Sequence, residues 1–141
     1  DVERSRGLGD VYKRQDGDYA DNERSSLAVC LDTIFQYEGM VKNSSSLLAA
    51  GQDVLTILEE NLDNRTVLNL QGCTLDMVLY YPDREIPVLA VMQDGSAVLV
   101  IGFNEQNVVL MDPLTGTVYK KGMNDARSMF EENGNRFIAY S

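Results

Sequence analysis

Apolar positions along this chain change their period near its middle. From Ser25 onward, Leu27, Cys30, Leu31, Ile34 and Phe35 recur at helical spacing, with Asp32 and Gln36 on the opposite side. Gly39 stands where a helix usually ends. A short helix is predicted over 46–50, opened by Ser44 and Ser45 as caps. Val54, Ile57, Leu58 and Leu62 mark a third helix, led by Asp53, and Val67 to Leu70 reads as a short strand. Gly72 precedes a fourth helix in which Leu75, Val78 and Leu79 share one face and which Pro82 ends.

Beyond Pro82 the helical period gives way to nearly continuous apolar runs. Ile86 to Met92 and Ala97 to Phe103 are predicted strands, and Asp94-Gly95 between them is a hairpin turn signal. Asn107 to Met111 is a third strand and Gly116 to Tyr119 a weaker fourth. Asn124 is read as the cap of a helix through Asn133, closed by Gly134, and Arg136 to Tyr140 as a last strand. Helices first and meandering strands afterwards predict an α+β domain, N-terminal helices packed on a C-terminal antiparallel sheet.

Residues 1–24 break this order. Half of them are charged, and Val2, Leu8, Val11, Tyr12 and Tyr19 keep no steady period. Such a segment buries too little apolar surface to offset the entropy of ordering it. Gly7 to Gln15 resembles the translation of a sequencing-library adapter, so 1–24 is expected to be a disordered or artefactual leader. The domain proper is then 25–141, the C-terminal part of something larger.

Length and composition fit one soluble domain: 141 residues, of which 44% are hydrophobic and 24% charged. A formal net charge of −10 argues against nucleic-acid partners, because binding phosphates needs a basic surface, and against attraction to anionic membranes. The longest apolar stretches are far too short to span a bilayer, so direct membrane insertion is not expected. Cys30 and Cys73 cannot form a disulfide framework; both sit at apolar positions in segments read as helical, and buried free thiols are the expectation.

The chain contains no histidine. A thiol or hydroxyl nucleophile usually needs an imidazole to take its proton, and a catalytic zinc usually needs at least one imidazole ligand. Neither a metal nor an organic cofactor is expected. The acidic residues around the third helix (Asp53, Glu59, Glu60, Asp63) lack the alternating oxygen-ligand loop of a calcium site and read as a solvated face.

Three segments, in order and spacing, resemble the bacteriocin-processing peptidases that cut after double-glycine leaders, a branch of the papain-like cysteine peptidase clan. Tyr37-Glu38-Gly39 looks like the end of that family's first helix, and counting back puts Ser26 at the nucleophile position, followed by Leu27-Ala28 where the family has Gly-Pro. Gly95-Ser96-Ala97-Val98, then Gly102-Phe103, then Asp112-Pro113 match the two strands that carry the other triad members. The resemblance therefore implies a papain-like fold over about 25–141, with the catalytic histidine replaced by Ser96 and the third triad member at Asp112. The family's oxyanion glutamine has no counterpart among Asp18 to Glu23, and Gln15 lies too far upstream.

A serine hydroxyl is almost wholly protonated near neutral pH, and Ser96 cannot act as a general base. Loss of one triad member already removes orders of magnitude of rate. The expectation is thus a degenerate, inactive peptidase-like domain that binds a peptide or protein partner by main-chain pairing along a sheet edge. Two alternatives stay open. One is an active enzyme using Cys30 or Ser26 with an unconventional base; Cys30 lies one turn beyond Ser26, but within the apolar stripe. The other is a purely structural terminal module of a larger, membrane-anchored and extracytoplasmic parent. Asp112-Pro113 also reads as an ordinary strand-ending turn, Asp94 with Asp112 as solvated carboxylates rather than a glycosidase pair, and Tyr80, Tyr81, Tyr119 and Tyr140 as half-buried packing rather than a peptide groove.

Overall fold

The computed structural model describes residues 25–141; the leader expectation, with Gln15 and the 18–23 stretch, lies outside the described residues. Helix α1 spans Ser26–Tyr37, capped by Ser25, whose hydroxyl accepts the Ala28 N–H at 3.1 Å. Gly39 follows at φ +81°, a left-handed conformation that only glycine adopts without strain. Helices α2 (Ser44–Ala49) and α3 (Val54–Asn61) come next. The cap of α2 is Asn43 rather than Ser44 or Ser45: its side chain reaches the Ser46 N–H at 3.2 Å, and the buried Asp32 carboxylate takes the Ser44 N–H at 2.8 Å. The helix consequently starts two residues earlier than predicted. Asp53 caps α3 through the Thr56 N–H.

Strand β1 is Val67–Asn69 and helix α4 Leu75–Val78, capped by Thr74. Cys73 therefore precedes the helix instead of lying in it. Pro82 opens a 3₁₀ turn (Pro82–Arg84), since its missing N–H costs nothing at a first position. Strands β2 (Val88–Val91), β3 (Ala97–Phe103), β4 (Asn107–Asp112) and β5 (Thr117–Gly122) form the meander, β2 starting later and β5 ending later than the sequence suggests. Helix α5 (Met123–Glu132) begins after Gly122 with no side-chain cap; the Asn124 amide instead accepts a hydrogen bond from Arg127. Strand β6 is Phe137–Tyr140.

All six strands join one antiparallel sheet in the order β1-β6-β2-β3-β4-β5. On one face Cys30, Leu31, Ile34 and Phe35 of α1 and Ile57 and Leu58 of α3 pack on Leu89, Leu99 and Tyr140. On the other, Leu75 and Val78 of α4 and Ala126 and Phe130 of α5 pack on Val88, Val100, Leu110 and Phe137. Burying both faces explains why β2 and β3 read as unbroken apolar runs. Tyr140 ties the last strand to α1: its hydroxyl donates to Glu38 Oε2 at 2.8 Å, and Arg65 donates to Glu38 Oε1 at 2.9 Å while lying over the Tyr140 ring.

Candidate functional site

Antiparallel geometry brings the start of β3, the end of β4 and the ends of β1 and β2 to one end of the sheet. The first turn of α1 reaches the same end. The contact there is specific: the Ala97 N–H donates to Ser26 Oγ at 3.0 Å. The ladder shows why this amide needs a side chain. Met92 donates its N–H to the Ser96 carbonyl at 2.8 Å, so Val91 and Ala97 form a non-hydrogen-bonded pair and the Ala97 N–H points away from β2. The neighbouring ladder to β4 begins only at the Leu99–Met111 pair. Ser26 supplies the acceptor that a longer β4 would have provided.

Ser96 is next to this contact but faces the turn. Its hydroxyl donates to Asp94 Oδ1 at 2.6 Å and its N–H to the same oxygen at 2.9 Å, closing a local turn around Gly95 at φ +86°. These two bonds, hydroxyl first, hold the Asp94 carboxyl below its usual range. Asp112 ends β4, where its carboxylate accepts the Leu114 N–H at 2.9 Å. Helix start, hairpin turn and strand end are thus gathered at one end, yet among the described residues no hydrogen bond joins the side chains of Ser26, Ser96 and Asp112 to one another.

Cys30 is fully buried in the α1 cluster, and burial, with the Asp112 charge adding to it, pushes its thiol far above the usual range. A thiol so placed supplies no thiolate at neutral pH. Cys73 is half-buried and both thiols are free. The four tyrosines do not share a groove: Tyr140 is buried on the α1 face, Tyr81 packs on the opposite face, Tyr80 is exposed beneath the Arg84 guanidinium, and Tyr119 is exposed on the edge strand β5. Among the described residues no cluster of histidine, cysteine, aspartate or glutamate could hold a metal ion, and no helix is long and apolar enough to cross a membrane.

One feature of this end escaped the sequence. A cavity of about 250 Å³ lies between the first turn of α3 and the ends of β1, β2 and β6, with Val91 in its wall and Arg136 and Asp53 among its lining residues. Nothing in the spacing relates Arg136 to Val91 or Asp53; only the placement of β6 beside β2 does. An arginine just before the last strand of so acidic a chain is the one signal available.

No family model matches this chain, and no curated protein matches it in sequence. In three dimensions it is similar to a solved protein of Bacillus anthracis described as a C39-like peptidase, with a TM-score of 0.69 over 84% of this chain and 89% of that one. Sequence identity between the two is 14%, so the likeness concerns the fold. The domain has a C39-peptidase-like, papain-like fold, with helices first and the antiparallel sheet after them.

Proposed function

We propose that this domain is a catalytically silent member of the C39-like fold that binds an extended peptide or a partner's loop at the end of the sheet formed by α1, the β2–β3 turn and the β4–β5 turn. The observation that carries the reading is the Ser26 hydroxyl: it accepts the Ala97 amide at 3.0 Å, in a chain without histidine. A hydroxyl nucleophile must be deprotonated by a neighbouring base, and Ser96, bound to Asp94, offers none. The carboxylates of Asp94 and Asp112 at the strand ends keep acceptor oxygens with which an extended peptide can hydrogen-bond.

The active-enzyme alternative through Cys30 has no support in the geometry, because that thiol is enclosed by the core. The test is direct. The purified full chain is incubated with a mixed heptapeptide library, cleavage is followed by mass spectrometry, and binding by amide shifts in NMR. Uncut peptides together with shifts at Ser96, Ala97 and Asp112 are expected. Turnover that disappears in Ser26→Ala would overturn the proposal.

A further inference from the structure

The cavity beside this end of the sheet has a composition that selects a ligand. Val54 and Leu55 of α3, Val91 of β2 and Ile138 of β6 give it an apolar part, beside the polar Asn69 of β1 and Gln71 just beyond that strand. At about 250 Å³ it is smaller than the usual pocket for a drug-sized molecule or cofactor and is suited to a single side chain. Arg136 stands at its rim, exposed, and among the described residues its side chain makes no ion pair or hydrogen bond. Asp53 also lines the cavity, but its carboxylate is bound to the Thr56 N–H at 2.8 Å as the cap of α3.

Position adds to composition. Val91, in the cavity wall, is the ladder partner of Ala97, the residue whose amide meets Ser26. The cavity and the proposed peptide site thus lie on neighbouring strands at the same end of the sheet. A part-apolar pocket with a guanidinium at its mouth that has no partner among the described residues fits one chemical unit well: an apolar side chain with a carboxylate on the same residue. Arginine takes a carboxylate through two parallel N–H bonds.

We infer that this cavity receives the C-terminal residue of a bound peptide, its aliphatic or aromatic side chain among Val54, Leu55, Val91 and Ile138 and its free carboxylate on Arg136. This assignment rests on the peptide-binding reading above and adds to it a requirement for a free, apolar C-terminus.

The probes are N-acetyl-Ala-Ala-Leu with a free carboxylate, the same peptide as its C-terminal carboxamide, and free leucine, each titrated into the full chain with amide shifts as the readout. The free acid is expected to move the amides of Leu55, Val91 and Ile138 and to bind about tenfold more tightly than the carboxamide, the difference expected for a charge-assisted pair at a partly exposed site. Arg136→Gln should abolish that preference and Arg136→Lys should restore part of it; at an exposed position both variants are expected to fold. Acid and amide binding equally, with shifts at Ala97, would overturn the inference while leaving peptide binding intact. No shift with any peptide would overturn both. Free leucine matching the tripeptide acid would overturn the peptide assignment in favour of a single amino acid.

Discussion

Replacing Ser26 by alanine separates a structural hydroxyl from a chemical one. The substitution removes the acceptor of the Ala97 N–H, a part-buried bond of 3.0 Å between residues 71 positions apart. Leaving a buried donor unpaired costs about 1–3 kcal/mol, and partial access to water places this case at the lower end. Alanine's better helix propensity returns at most about 0.5 kcal/mol, and less in the first turn. A net loss of about 1 kcal/mol is expected. With a urea slope of about 1–3 kcal/mol per molar, the unfolding midpoint falls by about 0.3–1 M. Native-state hydrogen exchange gives the local reading: the Ala97 amide should exchange about fivefold or more faster, beyond the change seen at neighbouring strand amides. An unchanged midpoint together with unchanged Ala97 protection would refute the claim that this hydroxyl completes the edge of β3.

Further outcomes follow from other contacts. Burial holds Cys30, Tyr140 and Tyr119 above their usual ranges, and Glu38 adds to the effect on Tyr140. The unfolded chain therefore releases these protons first, so stability should be level at neutral pH and fall as pH rises past about 9–10; urea midpoints at pH 7, 9 and 11 check this, and Tyr140→Phe should flatten the alkaline slope. At pH 8, native protein should show Cys73 reacting with a thiol reagent much faster than the buried Cys30, with both reacting at once in denaturant; rapid selective labelling of Cys30 would contradict its enclosure. Gly95→Ala should cost about 1–2 kcal/mol by thermal or urea unfolding, since nothing lies near an added Cβ and the left-handed backbone is the sole obstacle.

How much of this was legible beforehand differs by length scale. The apolar periods of α1 and α3, the Asp94-Gly95 turn, and the runs that became β2, β3 and β4 are local signals, because side-chain alternation and turn chemistry act over a few residues. Caps were less secure. Asn43 and Gly122 start helices for which Ser44, Ser45 and Asn124 look better suited: the Asn43 side chain takes the Ser46 N–H, Asp32 satisfies the Ser44 N–H, and the Asn124 side chain accepts from Arg127. Cys30 within an apolar stripe was readable as core; Cys73 was not readable as a loop residue, since one apolar position before Thr74 has no period of its own.

The amino-acid order by itself determined that this is an α+β chain without an imidazole, with serines at 26 and 96, and that its opening helix and hairpin would form where they do. Only the tertiary structure decided that β6 returns across the meander to lie between β1 and β2, that the Ser26 hydroxyl meets the Ala97 amide, and that Arg136 shares a cavity with Val54 and Val91. The physical reason is that strand order and cavity shape come from burying two apolar sheet faces at once, a condition on the whole chain that no short window contains.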